Sequence, residues 1–187
     1  MLLNLAVYLT FMIEKIRQLV KKEAEEDDWK FHIYPMVNYS KKLAKTLNAN
    51  KEVTELAALL HDIGRIRFSG EGHEITGSSE AEKILKQHGY SPDVINRVKH
   101  RIQAHRVGNG KTLEARIISN ADAMAHFDNI FIFFYWQSKK GKSYGEILQW
   151  VSDKINRDWN KKITLPEARE MMKDKYIAIK LILNGSA

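Results

Sequence analysis

Apolar residues recur three and four positions apart through nearly every segment of the chain. No stretch alternates apolar and polar in the manner of a half-buried strand. The pattern predicts helices over 3–26, 30–48, 51–63, 74–88, 92–106, 111–137, 143–159 and 165–183. Turn-forming residues separate them, at 48–50, in SGEG at 69–72, from Gly89 to Pro92, in GNG at 108–110 and in KKGKS at 139–143. Ser91-Pro92-Asp93 is a helix start, with proline placed just inside the first turn. The expectation is an all-α, single-domain helical bundle of 187 residues.

The opening MLLNLAVYLTF lacks a basic flank and a small-residue cleavage site, and its apolar run is too short to span a bilayer. The spacing continues through Ile13, Ile16, Leu19 and Val20. Residues 1–27 are therefore expected as an amphipathic helix that packs on the domain or on a second subunit. No other segment is a membrane candidate. Cysteine is absent, which excludes disulfides and thiolate metal sites and accords with a cytoplasmic location. The formal charge is +7, and residues 139–187 hold eleven Lys/Arg against six Asp/Glu. That balance points to acidic partners such as phosphates, nucleotides or nucleic acid.

Several polar groups fall on faces that the pattern assigns to the core. The run LAALLHDIGR, 56–65, ends a buried helix in adjacent His61 and Asp62, which are costly to bury without partners. On 92–106, Ile95, Val98, Ile102 and His105 share an arc, whereas His100 lies about 140° from His105 at 100° per residue. On 111–137, Ala115, Ile118, Asp122 and Ala125 share a side, with His126 one turn beyond Asp122. His32 sits among Phe31, Tyr34 and Pro35, and His73 precedes the helix that begins near Glu74. Taken singly, each has a bland reading as a hydrogen-bonded core histidine or a salt-bridged aspartate. Together, in a sulfur-free set, they are suitable ligands for a first-row divalent metal. Helical bundles build such sites by projecting one or two ligands inward from each facing helix.

The order His32, His61-Asp62, His73, His105, Asp122, carried by AALLHDIGR, GHEITGSSEAEKIL, IQAHR and EARIISNAD, resembles the HD-domain superfamily of metal-dependent phosphohydrolases. The resemblance covers roughly residues 28 to 130. It implies an all-helical fold holding one or two divalent ions (Mn, Fe, Co, Ni, Mg or Zn). His32, His61, Asp62 and Asp122 would be the ligands. His73 and His105, with His100 as an alternative to His105, would complete a second metal position or contact the substrate phosphate. His126 matches no motif position, and His88, in KQHGY at an expected helix C-terminus, reads as structural. The domain core would occupy 28–138, and 139–187 would be a C-terminal helical extension that could close the domain, cover the pocket or form a homodimer contact.

The chain departs from relatives at three places. Ile63, Gly64 and Arg65 stand where alarmone hydrolases carry an acidic pair, the GYP motif of the cyclic-dinucleotide branch is missing, and Asn120 replaces a common acidic residue. The implied chemistry is hydrolysis of a phosphate ester, of a nucleotide or another small phosphorylated metabolite. Asp62 would orient or deprotonate a water while acting as ligand. Arg65, followed by Arg67, would offer bidentate hydrogen bonds to phosphate. Lys99, Arg101 and Arg106 could add positive potential near the mouth. Two other readings use nearly the same residues. One is a di-iron oxygenase on the same fold; the other is a non-catalytic, metal-stabilised module binding nucleic acid or a partner through KKGKS and RDWNKK.

Overall fold

The computed structural model describes residues 2–68, 72–104 and 110–185, without the side chains of 2–6 and of His73. His105 and Arg106 lie outside the described residues. Helices follow in the order α1 (Leu2–Glu23), α2 (Glu26–Asp28), α3 (Tyr34–Thr46), α4 (Lys51–Leu60), α5 (Ile63–Phe68), α6 (His73–Gln87), α7 (Pro92–Ala104), α8 (Leu113–Asp128), α9 (Ile130–Ser138), α10 (Tyr144–Arg157) and α11 (Pro166–Asn184). A π-helical turn, Trp29–Ile33, joins α2 to α3, and a second, Asp158–Lys162, follows α10. There is no strand among the described residues, and no helix there is long and apolar enough to cross a membrane.

Local signals set most of the boundaries. Asn50 caps α4 by accepting from Val53 N at 2.9 Å, and Thr112 caps α8 by accepting from Ala115 N at 3.3 Å. Ser143 and Glu146 form a reciprocal capping box at the start of α10. Proline opens α7 and α11, where its missing N–H costs nothing. His88 caps the end of α6, its Nδ1 2.8 Å from Ile84 O.

Two of the expected helices are shorter than their periodicity suggests. The helix expected over 51–63 ends at Leu60; His61 and Asp62 form a turn, and the chain resumes as α5. The helix expected over 111–137 breaks at Asn129, whose Nδ2 donates to Phe31 O at 3.1 Å. That bond ties the break to the π turn carrying His32.

The apolar residues gather in two clusters. The first takes Ile16 and Val20 of α1, the inner faces of α4 and α6, and Ile95, Val98 and Ile102 of α7. The second takes Phe133 of α9, Ile147, Val151 and Ile155 of α10, and Ala168, Met172, Ile179 and Leu183 of α11. Helices α3 and α8 contribute to both. All of 117–127 is buried, so α8 is apolar or packed on every side, as a central helix must be. The N-terminal helix packs on α4 through Met12, Ile16 and Val20, while Val7, Tyr8 and Phe11 face outward.

A Cβ on Gly77 would lie 3.3 Å from Gly64 N and 3.6 Å from His61 O. The missing side chain lets α6 lie directly against the His61-Asp62 turn. Truncating the buried anchor of α1 measures how far that helix belongs to the core. Ile16→Ala should cost about 2–5 kcal/mol in urea unfolding, and Phe11→Ser should stay within about 0.5 kcal/mol.

Candidate metal centre and its cleft

The His61-Asp62 turn, the first π turn and α8 bring four donors to one point. His32 Nε2 lies 3.1 Å from His61 Nε2, 3.4 Å from Asp62 Oδ2 and 3.5 Å from Asp122 Oδ1. His61 Nε2 lies 3.4 Å from Asp62 Oδ2. All four residues are at least nine-tenths buried. His61 Nδ1 sits 2.8 Å from Ala58 O. A carbonyl only accepts, so that nitrogen carries the proton, and Nε2 presents its lone pair to the other donors whenever the ring is neutral.

These distances suit a divalent ion. Two ligand atoms each about 2.1 Å from one metal stand roughly 3.0–3.4 Å apart in octahedral or tetrahedral arrangements. The ligand atoms of His32, His61 and Asp122 all lie within 4.8 Å of one another, and two imidazoles with carboxylates are a first-row divalent set. The π turn matters here, since its extra residue rotates His32 inward out of the ordinary helical register.

Buried charges require compensation, and the surrounding residues supply it. Burial works to raise the Asp62 carboxyl, but His61 and the Arg65 guanidinium outweigh it and hold Asp62 well below its ordinary value. Arg65 donates from Nη2 and Nε to Asp62 Oδ2 at 2.8 and 3.0 Å, and from Nη1 to Asp28 Oδ2 at 3.1 Å. Burial also opposes ionisation of Asp122, yet Lys162 Nζ, 2.6 Å from its Oδ2, with His126 and His32 keeps it well below the usual range. For His61, burial favours the neutral ring, but Asp62 and Asp122 prevail and raise it.

A further group lies behind Asp122. The His126 ring stacks on His32, centroids 5.0 Å apart, with its Nε2 3.6 Å from Asp122 Oδ1. Its Nδ1 is 2.7 Å from Asp158 Oδ2 and 2.8 Å from Lys154 Nζ, and Lys154 pairs with Asp158. Burial, reinforced by Lys154, lowers His126 to about 4. Burial opposes the Asp158 anion, but His126 and Lys154 hold it below its ordinary value. Asn120 locks this region to α8. Its Oδ1 accepts from Thr164 N and Leu165 N at 2.9 and 3.0 Å, and its Nδ2 donates to Arg116 O at 2.8 Å. A carboxylate at that position could accept both bonds but could not donate the third.

The cluster opens into a cleft of about 830 Å³. Phe133, Trp136 and Trp150 form an aromatic wall, and Lys139, Lys140, Lys154, Arg157 and Lys162 line it with positive charge. Most of these residues belong to the segment beyond 138, so that extension forms part of the site.

The other residues singled out from the sequence are placed as follows. His73 is the first residue of α6, and His105 lies outside the described residues. His100 is exposed on α7 and does not line the cleft. Arg67 turns away to Glu23 and Glu80, at 2.7 and 2.5 Å, so it makes no approach to the donors. Lys99 pairs with Glu82, and Arg101 with Glu114. His126 matched no motif position, Asp158 and Lys162 stood only in RDWNKK as a nucleic-acid or partner contact, and Lys154 had no assigned role. Their spacing of four residues was the available signal, but such a charged stripe ordinarily reads as a solvated helix face.

The charged groups predict the pH response of the metal-free protein. His126, lowered from 6.5 to about 4, binds a proton in the unfolded chain first, so its contribution is lost as pH falls from 6.5 toward 4. The depressed Asp62, Asp122 and Asp158 carboxylates contribute stability that is lost below about 4. His61 is raised, so its contribution is lost as pH climbs above 6.5. Urea midpoints of the metal-free protein should therefore peak near pH 6.5, and His126→Asn should flatten the decline between 6.5 and 4. Asp158→Ala, which strands buried Lys154, should cost about 3–5 kcal/mol, and less when combined with Lys154→Met.

Comparison with known proteins follows the same residues. The family model described as HD domain matches residues 31–126, just over half of the chain. An uncharacterized protein of Clostridium beijerinckii is 31% identical over 85 residues, 44% of this chain and 54% of that protein. The match thus spans about half the length of that curated relative. Among solved structures, Bacillus subtilis YpgQ in complex with ADP is similar with a TM-score of 0.78 at 19% identity, covering 95% of this chain and 94% of that one. An HD-superfamily hydrolase of Bacillus thuringiensis gives 0.74 at 19% identity, covering 95% of each chain. The matched segment opens at the π turn of His32, contains the His61-Asp62 turn and closes at His126, just past Asp122: this chain belongs to the HD-domain family.

Proposed function

We propose that the protein is a metal-dependent phosphohydrolase that cleaves a phosphate ester of a nucleotide or other small phosphorylated metabolite. The observation that carries this reading is the meeting of His32, His61, Asp62 and Asp122 at the base of a cleft lined by cations. A structural metal would be enclosed by protein ligands, whereas a donor set that opens into an 830 Å³ cleft leaves room for water and substrate.

His32, His61, Asp62 and Asp122 would hold the cation, which supplies Lewis acidity toward phosphoryl oxygen and a water acidic enough to react near neutral pH. The chain does the rest. The Ala58 carbonyl fixes the His61 tautomer, so this ligand's Nε2 is oriented before anything binds. Asp62 is kept ionised and can accept a hydrogen bond from an attacking water, which orients it. Arg65, held in a planar fork by Asp62 and Asp28, borders the cleft where it can donate to two phosphate oxygens. Phe133, Trp136 and Trp150 offer flat apolar surface to a base or other ring. The similarity to YpgQ, solved in complex with ADP, supports a nucleotide.

The test is phosphate release from a panel of nucleotides, sugar phosphates and an aryl phosphate after metal removal and add-back of single divalent ions. Release should require metal, and Asp62→Ala should lose it by more than about a hundred-fold while keeping its helical circular dichroism. Arg65→Ala should lower kcat/KM by roughly ten- to a hundred-fold, the loss expected for a charge-assisted hydrogen bond. Oxygen consumption without phosphate release would transfer the site to the oxygenase class.

A further inference from the structure

We propose that Lys162 is a phosphate-binding residue, released from Asp122 when that carboxylate takes a divalent cation; this rests on the reading of the site as a phosphohydrolase.

Among the described residues, three cations beside the donors are anchored differently. Arg65 makes three hydrogen bonds to two aspartates. Lys154 is fixed between Asp158 and His126 and is only 12% exposed. Lys162 ends in one ion pair, with Asp122 Oδ2 at 2.6 Å, and lines the cleft at 16% exposure. Its ammonium is a compact charge on a flexible stem with three donors, so it can change partner at little steric cost.

Charge balance gives the reason to change. Asp28, Asp62, Asp122 and Asp158 face Arg65, Lys154 and Lys162. With the imidazoles neutral, four carboxylates against three cations leave one negative charge at the donors, beneath an outer lining of Lys139, Lys140 and Arg157 against Glu25. A bound divalent ion turns the same set to one positive charge. Held through Oδ1, the oxygen 3.5 Å from His32 Nε2, it also draws charge from the Asp122 carboxylate and so weakens the hold of Oδ2 on Lys162. The displaced ammonium then stands beside the metal position, across the carboxylates from Arg65, where a phosphate would meet both. Phosphate binding thereby becomes contingent on prior metal binding, with Lys162 as the group that changes partner.

The experiment compares wild type, Lys162→Met and, as a control for a charge lost from the same turn, Lys161→Met; Lys161 is exposed and does not line the cleft. Free manganese is followed by electron paramagnetic resonance, and inorganic phosphate binding to the metal-loaded protein by calorimetry. Lys162→Met should bind manganese as tightly as wild type or several-fold more tightly, because a competing cation has gone. It should bind phosphate about ten-fold or more weakly, and Lys161→Met should match wild type in both. In turnover the Lys162→Met defect should fall mainly on KM. Should the methionine variant not fold, acetylation of wild-type lysines read by mass spectrometry replaces it. Metal-loaded protein should then be protected at Lys162 by phosphate, and at Lys161 not.

Unchanged phosphate affinity in folded Lys162→Met, or no protection of Lys162, would overturn the proposal. Loss of manganese from the folded variant would also overturn it, showing that Lys162 merely orients Asp122. Failure of the functional reading is separable. It would appear as wild-type protein that releases phosphate from no ester, whatever the binding data show for Lys162.

Discussion

The structure turns on the burial of two carboxylates next to each other. Asp62 and Asp122 both reach the His32 imidazole and are each less than a tenth exposed, at the base of the cleft. Neither can stay ionised there alone, since burial penalises a charge far more than any neutral hydrogen bond repays. Each is therefore matched by a cation, Arg65 for Asp62 and Lys162 for Asp122. Asp62 Oδ2 faces Arg65 and both histidines at once, whereas Asp122 turns Oδ1 to His32 and Oδ2 to Lys162. The fold has to bring the first π turn, the His61-Asp62 turn with α5, α8 and the second π turn to one place because every one of them carries part of that balance.

Packing makes the balance rigid. Helix α8 is held on all sides by two apolar clusters, so Asp122 and His126 have little freedom. The His61-Asp62 turn is pinned from below by the close approach of Gly77, and His61 itself is tied to Ala58 O. The two π turns serve the same end from opposite sides. One delivers His32, the other Asp158 and Lys162, each using an extra residue to aim side chains that regular helical spacing would send elsewhere.

The family match ends at residue 126, yet the cleft continues into α9, α10 and the turn after it. The four donors thus lie in the shared part of the chain, and on the proposed reading the wall that a substrate would touch comes largely from outside it. On the proposed reading, chains with the same four donors can accept different phosphorylated compounds by changing that wall alone.

The sequence by itself determined the helical class, because apolar spacing of three and four residues reports which face of each helix is buried. Burial cost marked a wider set, His32, His61, Asp62, His73, His105 and Asp122, as groups that need partners, and the resemblance to the HD-domain superfamily implied four ligands among them. Periodicity could not show that the helices break at His61 and at Asn129, or that π turns carry His32 and Lys162, since each shift involves one residue in a pattern tolerant of one. Nor could it separate Arg65, which borders the cleft, from Arg67, which turns to Glu23 and Glu80. Only the tertiary structure decided which charges serve the site. Asp158 and Lys162, in the sequence part of a segment suited to nucleic acid or a partner, and Lys154 join the site only when packing places them against His126 and Asp122, because a charge's role depends on what the fold brings opposite it.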